Sequence, residues 1–158
     1  MKGIKGIIRY IAIKNNACAE AVKWLNENIK HTAKWLYEHC ERPDWITWWL
    51  YKANIQLDKK VWVQMAVICA ETTLAVYEKQ YPDDDRPRQA IEAAKNWIKN
   101  PAAENAADAA DAADAADAAC AACAAAYAAY AAANAVHAAD GIRKILPWLT
   151  VVKRLPHD

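Results

Sequence analysis

The 158-residue chain has no phenylalanine, no serine and only three glycines, Gly3, Gly6 and Gly141. Without serine there is no nucleophile of the Ser-His-Asp kind. Three scattered glycines leave no glycine-rich loop to cradle a phosphate. The same scarcity, with alanine dominant, argues against a β fold, whose tight turns and bulges draw on glycine. Long apolar runs are missing too. MKGIKGIIRYIAIK is interrupted by Lys5, Arg9 and Lys14, so neither a signal-peptide core nor a membrane span is expected. The five cysteines are odd in number and singly placed, which suits a reduced cytoplasm better than a disulfide framework.

No sign of charge dominates, since 20 basic residues face 19 acidic ones. The placement is uneven, however: residues 1–100 carry 16 basic and 12 acidic groups, 101–140 carry six acidic and no basic, and 141–158 carry four basic and one acidic. This alternation favours the acidic stretch lying beside basic segments of the same chain, and does not predict nucleic-acid binding.

That acidic stretch, residues 101–140, holds 25 alanines in the 38 positions from Ala102 to Ala139. Alanine loses no side-chain entropy on ordering, so the spacing predicts one long helix, or two nearly collinear ones, with Asn100 and Pro101 at its start and Gly141 in the left-handed conformation at its end. Asp108, Asp111, Asp114 and Asp117 wrap half its circumference, and Cys120, Cys123, Tyr127, Tyr130 and Asn134 form one stripe. An alanine helix buries little area, so larger side chains, the tryptophans above all, must supply the core around it.

Before it, Ile4, Ile7, Ile8 and Ile11 predict a short helix over 4–14. Ala21, Val22, Leu25 and Ile29 predict an amphipathic helix from Asn16 that breaks near His31 and Thr32, with the apolar face resuming at Trp35 and Leu36 and Pro43 stopping it. The next helix starts there, with Ile46, Trp49, Leu50 and Ala53 inward. Asp58 caps a helix carrying Trp62, Met65, Ala66 and Cys69 to about Tyr81, and Pro87 opens one that buries Ile91, Ala94, Trp97 and Ile98. Pro147 kinks or restarts the basic tail. The expected fold is all-α: a compact bundle of five to seven helices around the alanine-rich one. It is one domain over 1–158, with an N-terminal segment 1–15, tryptophan-rich helices 16–100, the alanine-rich helix 101–140 and the tail 141–158.

Two blocks, HCERPDWITWWL at 39–50 and DDDRPRQAIEAAKNWI at 83–98, followed by the alanine-rich helix, resemble the family named "putative immunity protein", helical proteins of bacterial polymorphic-toxin systems found also in phage genomes. The resemblance covers roughly residues 17–140. It implies an all-α protein that neutralises something by binding it, and does not imply a known reaction; no cofactor is expected.

Both blocks place an arginine at a predicted helix start: Glu41-Arg42-Pro43-Asp44 and Asp85-Arg86-Pro87-Arg88. Free N–H groups, the helix dipole and a guanidinium fork together favour an anion. Trp45, Trp48 and Trp49 lie one turn away to stack on a flat ring. Arg42, Asp44, Trp45, Trp48, Trp49, Arg86, Arg88 and Glu92 are therefore the candidate ligand- or partner-binding residues. The ordinary alternative is that Arg42 and Arg86 pair with Glu41, Asp44, Asp85 or Glu92 to lock helix starts while the tryptophans fill the core. Cys120-Ala-Ala-Cys123 has no second ligand pair and reads as packing rather than a metal site. The aspartate row reads as a solvated face, or as a mimic of a phosphate row. His31, His39, His137 and His157 are dispersed, and no catalytic residue is expected.

The leading functional expectation is a non-enzymatic cytoplasmic binding protein, immunity-type or phage counter-defence, whose partner is a bacterial toxin or defence effector. A second is sequestration of a phosphate-bearing, nucleotide-like small molecule. A third is a structural bundle whose alanine face drives homo-oligomerisation.

Overall fold

The computed structural model describes residues 6–101 and 137–155, and the alanine-rich stretch 102–136, with its aspartate row and Cys120 and Cys123, lies outside the described residues. Within them the chain is α-helical with no strand, as expected: α1 Ile7–Lys14, α2 Ala19–Glu27, α3 Ala33–His39, α4 Pro43–Lys52, α5 Lys59–Gln80, α6 Arg86–Lys99, α7 at 137–145 and α8 Trp148–Val152. These eight helical segments exceed the expected five to seven, because the break after α2 and the restart at Pro147 each divide a stretch in two. The described residues cluster in two compact units, one within Met1–Gln56 and Arg143–Asp158 and the other within Leu57–Ile142.

In the first unit the helix ends are set by short-range chemistry. α1 and α4 both finish on an asparagine at positive φ, Asn16 at 55° and Asn54 at 53°. Beyond each, the next backbone N–H reaches back five residues, Ala17 to the Ala12 carbonyl at 2.9 Å and Ile55 to the Leu50 carbonyl at 3.1 Å. This is a Schellman ending with asparagine in glycine's place, and Ile55 closes it by burying beside the helix it terminates. The break at 28–32 is real, and Thr32 explains it: its hydroxyl oxygen accepts from the Trp35 N–H at 3.2 Å and starts α3 afresh. Ile29, expected inward, falls in this break and is 56% exposed.

α4 buries Ile46, Trp49 and Leu50, with Ala53 at its end, as its spacing predicts. Tyr37 of α3 is buried, donates its hydroxyl proton to the Leu146 carbonyl at 2.7 Å, and tilts its ring against Trp49 and Trp148. The Arg143 guanidinium donates to the Tyr37 and Cys40 carbonyls at 3.2 and 2.8 Å, satisfying acceptors that the end of α3 leaves open.

In the second unit Asp58 caps α5, accepting from the Lys60 N–H at 2.7 Å. α5 and α6 form a hairpin whose core is Val67, Ala70, Ile91 and Ala94, flanked by Val63, Leu74 and Ile98. Ion pairs Arg88–Glu78 at 2.7 Å and Lys95–Glu71 at 2.8 Å tie the two helices, and their opposite progression along the chain makes them antiparallel. Of the residues singled out on α5, Met65 is buried and Ala66 exposed, because the helix turns its Val63, Val67, Ala70, Leu74 stripe to α6.

Gly141 does not end a helix. It sits inside α7 with no positive φ, and a Cβ there would stand 3.0 Å from Cγ2 of Ile68. The glycine serves close approach of a neighbouring side chain, and Pro147 ends the run instead.

Candidate functional site

Arg42 is the N-cap residue of α4, Pro43 fills the first helical position and Asp44 stands in the first turn. The sequence expectation of a helix start at this arginine holds. Its guanidinium is engaged: Nε and Nη2 donate to the two carboxylate oxygens of Asp44 at 2.9 and 2.7 Å, Nη1 lies 3.6 Å from Glu20, and the plane sits over the Trp45 ring at 4.6 Å. The hydrogen bond to Asp44 raises the arginine's pKa above its ordinary value.

Behind this ion pair α1–α4 line a half-open cavity of about 310 Å³. Trp45, Trp48 and Trp49 of α4 line it with Trp24 of α2, and Arg42 and Asp44 reach its edge. Trp24 and Trp45 face each other at 6.2 Å between ring centroids. Leu36, Leu25 and Ile8 complete a wall that is almost wholly apolar. Trp49 is 5% exposed, and its indole N–H is buried with no hydrogen-bond partner.

Two thiols also line the cavity, Cys18 exposed and Cys40 buried. Burial pushes the Cys40 thiol from 9.0 up to about 11, and burial likewise raises Tyr37 above its ordinary 10.0. Between pH 9 and 11 the unfolded chain gives up the Cys40 proton while the folded chain keeps it, so stability present below pH 9 is lost as pH rises through this window. A denaturant midpoint measured across it is expected to fall, and a Cys40→Ala variant to fall less. Iodoacetamide near neutral pH is expected to label Cys18 and spare Cys40, read by mass mapping.

Arg86, Arg88 and Glu92 belong to α6 in the second unit. Asp85 holds the N-cap position without a side-chain cap hydrogen bond, and Pro87 lies in the first turn as expected. Arg86 pairs with Asp84, Nε to Oδ1 at 2.8 Å, rather than with Asp85 or Glu92, because the loop folds Asp84 back over the helix start. Asp84 also accepts from the Tyr77 hydroxyl at 2.7 Å, and the arginine and the tyrosine hold its carboxyl well below the usual carboxylate range. Arg88 is held bidentately by Glu78, and Glu92 by Lys95 at 2.7 Å.

Two of the dispersed histidines meet: His31 and His39 stack on opposite sides of Trp35, with ring centroids at 3.6 and 4.2 Å. Among the described residues no group of three His, Cys, Asp or Glu is placed to hold a metal ion, and no helix is long and apolar enough to cross a membrane. Trp24, Leu36 and Cys40 were not candidates from the sequence. Trp24 belongs to α2 and Leu36 and Cys40 to α3 and its C-cap, and no local pattern says those two helices share a void.

The described part of the chain is thus an all-α protein of two helical units, one holding a half-open aromatic cavity and the other an ion-paired hairpin. The family model described as "Imm-5 like putative immunity protein" matches residues 53–143, more than half of the chain, and the chain belongs to that family. The match takes in the block at 83–98 with Arg86, Arg88 and Glu92, and starts beyond the block at 39–50 and the cavity. No curated protein and no solved structure matches the chain.

Proposed function

We propose that the protein is an immunity-type neutralising protein of the cytoplasm, acting by stoichiometric binding of a toxin or defence effector and not by catalysis. Family membership carries this reading. The arrangement of α6 agrees with it: Arg86, Arg88 and Glu92 are exposed yet held in place by Asp84, Glu78 and Lys95, so a partner meets charges whose ordering entropy is already spent. The aromatic cavity favours a second reading, in which the protein neutralises by sequestering a small ring-bearing signal.

Purifying the protein from protected cells separates the two. A one-to-one complex with an effector in native mass spectrometry is the expected result for the first. A small molecule released on heating an otherwise partner-free protein is the expected result for the second. Protection by a protein that carries neither would overturn both and return catalysis to consideration.

A further inference from the structure

We propose that the cavity of the first unit is a binding site for an uncharged, flat, one- or two-ring aromatic molecule, and that the ion-paired cluster at its edge selects against rings carrying an anionic group. The proposal rests on the sequestering reading and names the chemistry of its ligand.

Size comes first. An apolar cavity of about 150 Å³ is enough to hold benzene, whereas small-molecule sites span roughly 300 to 1,000 Å³. At about 310 Å³ this half-open cavity has room for one or two fused rings. Shape and polarity follow from the walls. Indoles of Trp24, Trp45, Trp48 and Trp49 offer flat faces, and the leucine and isoleucine walls offer nothing to a charged substituent, whose desolvation would go uncompensated.

Charge decides the rest. A lone arginine at a helix start invites an anion, but Arg42 is closed on Asp44 through both carboxylate oxygens and lies beside Glu20. Arg42 and Asp44, the two charges that line the cavity, neutralise each other, and Glu20 beside Arg42 adds a further carboxylate outside the lining. The first turn of α4, where an anion would find the helix dipole, already holds Asp44. An incoming anion has to displace that carboxylate and meet Glu20, while an uncharged ring slides past a neutralised guanidinium stacked on Trp45.

The test uses naphthol and naphthoate, one bicycle with an uncharged or an anionic substituent, titrated calorimetrically at neutral pH. Naphthol is expected to bind, with naphthoate about tenfold weaker, a gap worth about 1.4 kcal/mol. Asp44→Asn combined with Glu20→Gln is expected to narrow the gap by strengthening naphthoate more than naphthol. Ala17→Leu, which enlarges a half-buried wall residue, is expected to weaken naphthol. A separate Ala21→Leu variant attacks the volume from α2 should the first fail to fold. Naphthoate binding as tightly as naphthol, a gap unmoved by the carboxylate substitutions, naphthol affinity indifferent to both filling substitutions, or no binding of either probe would each overturn the proposal. Failure of the sequestering reading looks different: naphthol binds as stated, yet nothing is released on heating protein purified from protected cells.

Discussion

Trp49→Ala is expected to destabilise the first unit by about 3–5 kcal/mol, the range for removing a large aromatic from a core. For a chain of this length that lowers the melting temperature by on the order of 10 °C. The size of the effect follows from position. Trp49 is 5% exposed on the inward face of α4, tilts against the buried Tyr37 ring, and forms one side of a cavity that already exists. Deleting it merges the space left with the space present, and a void lined by three further indoles has little means of collapse. Trp49→Phe provides the contrast. It gives up part of the ring but also removes an indole N–H that is buried without a partner, a group whose desolvation costs about 1–3 kcal/mol. The phenylalanine variant is therefore expected to recover most of the stability lost in the alanine variant. Thermal and denaturant unfolding of the pair check this, and a phenylalanine variant as unstable as the alanine one would show that the indole N–H is satisfied.

Arg143→Ala is expected to cost about 2–3 kcal/mol, the worth of hydrogen bonds donated by a charged group to partly buried acceptors. The Arg143 guanidinium bonds the Tyr37 and Cys40 carbonyls where α3 ends and has no further turn to supply donors. A cation there also faces the negative end of the helix dipole. Arg143→Lys is expected to restore only part of the loss: both bonds come from one nitrogen, Nη1, which an ammonium can imitate, but on a more flexible and more strongly hydrated side chain. Amide exchange of α3 reports the site directly: the alanine variant is expected to lose protection around Tyr37 first, and unchanged protection there would move the role of Arg143 elsewhere.

Local spacing accounted for α4 and α6 nearly residue by residue. Ile46, Trp49 and Leu50, and Ile91, Ala94 and Trp97, lie inward because a helix with one apolar stripe has one way to face a core. α5 is less legible. Its 22 residues carry apolar side chains around most of the circumference, so periodicity does not single out one face, and packing against α6 chose the Val63, Val67, Ala70 stripe. At Arg86, adjacency suggested Asp85 or Glu92, but the path of the loop brought Asp84 to the guanidinium. At Gly141 the residue type suggested a helix end, while the reason for a glycine is Ile68, 73 positions earlier in the chain.

By itself the sequence determined the all-α class, most of the helix boundaries and the two arginine-marked helix starts, because caps, prolines and 3.6-residue stripes act within a turn or two of chain. The family resemblance was legible for the same reason: it resides in short contiguous blocks. Tertiary structure alone decided that Trp24 meets Trp45, that four helices leave a cavity between them, and that Arg42 is already closed on Asp44 and flanked by Glu20. Those facts depend on which faces meet across tens of residues and on volume left unfilled where they do, quantities that no local pattern of residues encodes.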